Sequence, residues 1–338
     1  MVTQTRLIQG KDVRSVPMPA TIAFSSGQHV VLDLPRTGII THLDIEMNLN
    51  YDSGDVEKED EIKNLIASIQ IRDGRGNSFF QASDGRLLAF LNQFQARGVD
   101  LVDSLVADNS SSALTARANF KIHFGDDPSD RLDPSAGIAA DELSSLVLDI
   151  GWGTAASLWD TVGNGVINSC VLTVTPTIVM ADTPSYAAIR SALLTPQFRS
   201  VIFTVTGAFA ALSFEQDLPS MMLDKSLFIA LDENDNREDN VTTEVAYRDN
   251  RDNRIVWEVD FIPWTRRLVD EWLTAAGLAG RINGVGFIDW QAITADVALD
   301  LRNRMATWDK IAWTTGEGGS GQTIAVLHKG YSGIGSLR

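Results

Sequence analysis

Histidines are the first residues to test for chemistry, because imidazole is the usual acid, base and metal ligand near neutral pH. They stand at His29, His42, His123 and His328. Each falls alone in a strand-like stretch. No two have the His-x-His or His-Glu-x-x-His spacing of a cupin-type or zincin-type metal site. The spacing predicts histidines on strand faces and loops, with no ligand set among them.

The run Gly316-Glu317-Gly318-Gly319-Ser320-Gly321 formally matches a dinucleotide fingerprint. That motif works by presenting a helix N-terminus to a pyrophosphate, and here a β-rich segment, Thr323–Leu327, follows instead. No lysine follows to make a P-loop. The run reads as a flexible loop between two late strands, and Gly151-Trp152-Gly153 fails in the same way. Asp232–Asn240 is the densest acidic run, and oxygen ligands at alternate positions would suit calcium. The EF-hand pattern breaks at its sixth position, where Arg237 replaces the turn glycine, and at its twelfth, where Thr243 replaces the bidentate glutamate. This run and Asp55–Glu61 read as solvated surface loops.

Cys170 is the single cysteine, so neither an intrachain disulfide nor a cysteine-based zinc cage can form. It shares strand parity with Leu172 and Val174, which predicts a core residue rather than a nucleophile. No Gly-x-Ser-x-Gly elbow is present. Carboxylate pairs for glycoside hydrolysis are defined by spatial separation, which spacing along the chain does not carry. The sequence therefore predicts no catalytic residue, no cofactor-binding residue, no metal-ligating residue and no cofactor. Eight tryptophans remain. They suit core packing, interface anchoring or a sugar-stacking platform. Trp257 has inward strand parity and Trp264 and Trp272 share a helical stripe, so core packing fits these three. Trp152 and Trp159, near a glycine-rich stretch, are freer to act at a surface. Trp290, Trp308 and Trp313 crowd the same half of the chain as the first three.

What must position such residues is a chain of 338 residues, 44% hydrophobic and 21% charged. That length predicts two domains or one large one, and that composition fills a real core. Lys and Arg number 28 against 44 Asp and Glu, a net charge of −16. The balance argues against a surface built mainly to neutralise phosphates, and so against specific nucleic-acid recognition. No stretch approaches the roughly 20 apolar residues of a membrane-spanning helix. The opening residues, Met1 to Arg6, carry no apolar signal region.

Period-two alternation dominates. Leu43, Ile45, Met47 and Leu49 share one face against His42, Asp44, Glu46 and Asn48. Ala116 to Phe124, Ile255 to Phe261 and Val297 to Leu301 alternate likewise. Further β-rich runs lie at 30–34, 65–71, 146–150, 166–179, 201–214, 227–231, 311–314 and 323–327. Turn chemistry at 35–38, 73–76, 126–128 and 249–253 separates them. Helical pattern is scarce. One candidate runs from Asp84 to Phe94, a second starts at Pro263 and reaches Ala276, and a third follows Asp182-Thr183-Pro184 and stops at Thr195-Pro196. Strands and helices do not alternate, so a doubly wound parallel sheet is not expected.

The succession of elements repeats. In each half, strands lead to a hairpin (73–76, then 249–253), a strand, a short helix and further strands. The succession suggests a mainly β fold class of two tandem jelly-roll β-sandwiches, one short helix in each half and a helical connector; the alternative is one irregular β-sandwich with insertions. The expected limits are an N-terminal arm at 1–20, a first jelly roll at 21–182, a connector at 183–196 and a second jelly roll at 197–338.

With Gly27 to Ile40 and Ser78 to Phe94 in the first half and Arg254 to Leu273 in the second, the chain resembles the double jelly-roll major capsid proteins of tailless icosahedral viruses. That lineage includes membrane-containing phages, archaeal viruses and the adenovirus hexon. The resemblance spans about Thr21 to Leu327 and is one of pattern, length and composition, since the family has no short residue signature. It implies a structural, non-enzymatic protein that forms homotrimers of pseudo-hexagonal outline. These would meet neighbouring capsomers and minor capsid or penton proteins in a virion shell after synthesis in a host cytoplasm. It also implies that the arm bearing Arg6, Lys11 and Arg14 faces inward to a neighbour, a membrane or the genome; composition alone equally suits a flexible terminus. The alternative from the residues is a two-domain carbohydrate-binding or glycan-processing β-sandwich protein using exposed tryptophans and clustered aspartates.

Overall fold

The computed structural model describes residues 13–18, 21–96, 101–125, 133, 135–161, 164–184, 186–206, 209–249, 254–268, 282–290, 309–315 and 321–332. The chain divides into two compact units that meet in sequence at Pro196 and Gln197. Arg6, Lys11, Trp272, Trp308, Gly316–Ser320 and the expected strand at 297–301 lie outside the described residues.

The first unit contains β1 (Val13–Ser15), β2 (Ile22–Ala23), β3 (His29–Asp33), β4 (Gly38–Asp52), β5 (Val56–Glu57), β6 (Ile66–Asp73), β7 (Ser78–Ala82), helix α1 (Gly85–Gln95), β8 (Leu114–His123), β9 (Ile138–Ala139), β10 (Leu146–Trp152), β11 (Trp159–Thr161), β12 (Val166–Met180) and helix α2 (Tyr186–Ala192). One sheet has the order β1-β12-β4-β8, with β2 on β12 and β9 on β4; the other has the order β3-β10-β6-β7; β5 and β11 pair separately. All these strand pairs are antiparallel. The core follows the alternation. Leu43, Ile45 and Met47 of β4, Phe120 and Ile122 of β8, and Leu172 and Val174 of β12 are fully buried. So are Ile69 and Ile71 of β6 and Leu148 and Ile150 of β10. Each such side chain contributes about 1.5–3 kcal/mol relative to exposure.

Helix α1 is buried along nearly its whole length. Asp84 caps it, its carboxylate accepting the Arg86 N–H at 2.8 Å. Gly85 opens it because an added Cβ would come within 2.5 Å of the Ile66 carbonyl oxygen. The helix thus sits at the depth that only glycine permits.

The second unit contains β13 (Thr195–Thr204), β14 (Phe209–Asp217), β15 (Met222–Leu231), β16 (Glu244–Asp249), β17 (Arg254–Asp260), helix α3 (Phe261–Leu268), β18 (Val285–Asp289), β19 (Asp309–Thr315) and β20 (Thr323–Ser332). Its sheets have the orders β13-β20-β15-β18 and β14-β19-β16-β17. Trp313, Tyr247, Phe228 and Trp290 are fully buried in this core, where Phe228 meets Trp313 and Tyr247 meets Trp290 edge-on.

The two units share one topology. Take the eight principal strands of each in chain order, which in the first unit omits the short β2, β5, β9 and β11. In both units the first strand pairs with the eighth, the eighth with the third and the third with the sixth; the second pairs with the seventh, the seventh with the fourth and the fourth with the fifth. In both, the helix stands between the fifth and sixth strands. This is the eight-stranded jelly roll, present twice.

Two expected boundaries shift. The run 201–214 is two strands in different sheets, broken after Thr204. The second helix begins at Phe261 rather than Pro263. Proline stays in the first turn, where the backbone N–H has no intrahelical partner.

Candidate functional site

The histidines are placed in three different settings. His29 lies on the exposed face of β3, its side chain 65% accessible, with Nδ1 2.9 Å from Asp149 Oδ1 on β10. Arg72 of β6 stands 3.6 Å from the other Asp149 oxygen. His29 and Asp149, with Ser68, Gln70 and Gln81, line a shallow cleft of about 210 Å³ on the open sheet face. Val31 beside it is 53% exposed. This face offers hydrogen bonds and charge to a partner surface.

His328 is fully enclosed in the second unit. Trp290 Nε1 donates to Ser226 Oγ at 2.8 Å, and Ser226 Oγ lies 2.7 Å from His328 Nδ1. The serine oxygen accepts from the indole and so links Trp290 to the imidazole. Burial pushes the imidazole pKa down to about 3, so the ring is held neutral in the core. His42 and His123, 81 residues apart, are direct cross-strand partners on β4 and β8, with Nδ1 atoms 3.3 Å apart. Both are buried, although the alternation puts His42 on the polar face. Sequence spacing misses this pair, because only strand register brings it together.

A second cleft, of about 680 Å³, opens beside β9 and α2. Phe79, Ile138, Leu143, Tyr186 and Leu193 give it apolar walls, and Glu142 and Arg190 stand at its rim. Arg190 and Glu142 form an ion pair. Tyr186 OH donates to Asp141 Oδ2 at 2.5 Å, and burial together with that carboxylate holds the phenol well above its ordinary pKa. A phenol so raised stays protonated, and the cleft presents an apolar wall with a charged lip.

The remaining sequence candidates settle into structural roles. Cys170 is buried, and burial pushes its thiol up to about 12. Trp152 and Trp159, expected to be free for a surface, are only 2% and 1% exposed. Trp159 lies against Gly54, where a Cβ would come within 2.7 Å of the indole ring; Trp152 meets Phe24 edge-on. Loop backbone closing over the rings overrides the glycine-rich setting, and no sugar platform can be built on them. Trp264 is buried, as its helical stripe predicts, while Trp257, for which parity predicts a core position, is only half-buried. Gly321 leads directly into a strand, so no helix N-terminus follows the glycine run. Arg14 lies exposed on β1.

The two acidic runs occupy one topological position. Six carboxylates and two lysines fall between Asp52 and Lys63, in the connection from third to fourth principal strand. Five carboxylates and Arg237 fall between Asp232 and Asp239, in the same connection of the second unit. Asp232 turns its carboxylate onto its own loop, accepting from the Asn234 and Asn236 amides at 2.8 Å. Among the described residues, no three His, Cys, Asp or Glu side chains converge as a metal site.

No family model matches the chain, and no curated protein matches it by sequence. Solved structures do. The crystal structure of the STIV major capsid protein superposes with a TM-score of 0.73 at 13% identity, covering 94% of this chain and 96% of that one. The chain has the double jelly-roll fold of viral major capsid proteins. The atomic structure of Sulfolobus Turreted Icosahedral Virus gives the same TM-score over 95% and 90% of the two chains, at 13% identity. The capsid of the PBCV-1 virus gives 0.59 over 94% and 93% at 10% identity. The major capsid protein of bacteriophage PM2 gives 0.53 over 96% and 99% at 11% identity. Nearly all of each double jelly roll is matched, so the shared feature is the tandem repeat and not one sandwich.

Proposed function

We propose that this chain is a structural major capsid protein, without enzymatic activity, that self-associates as a trimer of pseudo-hexagonal outline to build an icosahedral shell. The observation that carries the reading is the repeated strand order, matched end to end by capsid proteins. Two equivalent sandwiches in one chain give three copies six similar outer units, and a closed cyclic trimer then tiles a hexagonal net. The exposed face around His29 and Val31 and the cleft walled by Phe79 and Tyr186 supply polar and apolar contact surface for copies or for minor capsid and penton proteins. The expected limits, 1–20, 21–182, 183–196 and 197–338, carry over as arm, jelly roll, connector and jelly roll. The arm with Arg6, Lys11 and Arg14 faces a neighbour, an internal membrane or the genome. The protein's place is the virion, after synthesis in the host cytoplasm.

Light scattering of the purified full chain tests this. A mass of three chains, or larger assemblies with hexagonal capsomers under the electron microscope, is expected. A strict monomer at concentrations up to the millimolar range overturns the reading.

A further inference from the structure

We propose that segment 333–338 of this chain seats in the apolar cleft beside β9 and α2 and closes it. The cleft holds about 680 Å³, and its walls include Ile138, Leu143 and Leu193, the last two only half-buried. Thr195, the first residue of β13, lines the same cleft. β13 and β20 are neighbours in one sheet and have ten residues each. Val205, just beyond the end of β13, donates its N–H at 2.8 Å to the carbonyl of Gln322, just before β20. Farther along the pair, Lys329 Nζ stands 5.8 Å from the Phe198 ring centroid. The strands therefore run antiparallel, and Ser332, the last residue of β20, comes out beside Thr195 at the edge of the cleft. The cleft and segment 333–338 belong to the same compact unit, the first.

The chemistry of the segment matches the seat. Gly333-Ile334-Gly335-Ser336-Leu337-Arg338 follows Ser332 directly. Fully extended, six residues span at most about 20 Å, enough to cross a cleft of this volume. Ile334 and Leu337 supply two apolar side chains to walls of the same character, and covering both removes apolar surface from water. Gly333 and Gly335 carry no Cβ, so the backbone can lie close to the wall. At the rim, Asp141 and Glu142 stand against one guanidinium, that of Arg190, which leaves an excess of negative charge. Arg338 brings the opposite sign. A partner arriving at this surface then meets the seated segment or must displace it. The seat does not depend on the capsid reading.

The test pairs cysteines in the full-length protein. Ala187→Cys, at an exposed position of α2 that lines the cleft, is combined with Leu337→Cys. The control combines Leu337→Cys with Val56→Cys, which is 48% exposed. Ala139 of the lining pairs with Ile39 at the start of β4, whereas Val56 follows the other end of that strand, roughly 45 Å away along it. Cys170 is buried with its thiol pushed up to about 12, and stays out of the exchange. Under oxidised glutathione the first pair should close its disulfide within one chain at least about tenfold faster than the control. Independently, Leu337→Asp should raise the emission of the apolar dye ANS by uncovering the walls. Equal rates overturn the proposal, as do disulfides that join two chains. So does ANS emission left unchanged by Leu337→Asp in a protein that still unfolds cooperatively.

Discussion

Asn92 of α1 pairs with Lys121 of β8 as a neighbouring strand would. Its Nδ2 donates to the Lys121 carbonyl at 2.6 Å, and its Oδ1 accepts the Lys121 N–H at 2.7 Å. One buried side-chain amide thereby satisfies both backbone groups at this point of β8. The first-unit helix is therefore fastened to the sheet by a polar lock as well as by Leu87, Leu88 and Phe94.

Removing the lock leaves the Lys121 donor and acceptor unpaired in a half-buried setting. Asn92→Ala should destabilise the chain by about 1–3 kcal/mol, measured by denaturant unfolding. Asn92→Asp should be worse than alanine, since a carboxylate placed against the Lys121 carbonyl repels it. Equal or milder effects for aspartate would show that the amide donor contributes nothing.

The contrast between Asn92 and Leu87 shows what the sequence makes legible. Leu87, Leu88, Leu91 and Phe94 mark a helix by spacing alone, and Leu43 to Leu49 mark a strand, because each pattern is local and repeats with a fixed period. Which strand Asn92 would meet depends on the path of a chain segment nearly thirty residues long. Alternation puts His42 on the polar face, and its burial against His123 is set by register across 81 residues. The acidic runs near Asp55 and Asp232 look alike in composition. Only the strand order shows that they are the same connection in two jelly rolls. Trp152 and Trp159 misled for a third reason. Glycine neighbours suggest exposure, yet Gly54 is the very residue that lets backbone lie against the Trp159 ring.

His328 should impose a pH dependence on stability. Its folded pKa, near 3, is below the ordinary value of 6.5. Between those limits the unfolded chain binds a proton that the folded chain does not, so stability is full above 6.5 and falls as pH drops toward 3. The slope reaches about 1.4 kcal/mol per pH unit at most. His328→Gln should flatten the unfolding free energy between pH 6.5 and 4 in denaturant titrations. An unchanged slope would place the titrating group elsewhere.

Asp108 acts in a lower window. The Ser111 hydroxyl, the Ser53 hydroxyl and the Ser110 and Ser111 amides all donate to its carboxylate and hold its pKa well below the usual aspartate range. The depressed folded value means this loop's stabilisation is intact above 3.8 and is lost only as pH falls through the lower folded pKa. Backbone amide shifts of Ser110 and Ser111, followed by NMR, should titrate well below 3.8. Asp108→Asn should remove that titration while leaving the His328 window in place. Midpoints close to 3.8 would show that the four donors do not favour the charged form.

Gly286 of β18 sets how closely α3 approaches its sheet. A Cβ there would come within 2.5 Å of Trp264 Cζ3 and 2.8 Å of Cη2. Carbon atoms need about 3.5–4.0 Å, so the indole must shift by about 1 Å or the helix must lift. Trp264 has little room to shift, since Phe228, Trp257 and Phe261 surround it with ring centroids at 6.1, 5.5 and 5.9 Å. Gly286→Ala should therefore destabilise by about 1–3 kcal/mol and alter tryptophan emission. Trp264→Leu alone should also destabilise, by opening a cavity. Combined, the two changes should cost about 0.5–3 kcal/mol less than their sum, because the added methyl occupies space the smaller side chain vacates. Strict additivity in that cycle would mean that the glycine does not govern the seating of the helix.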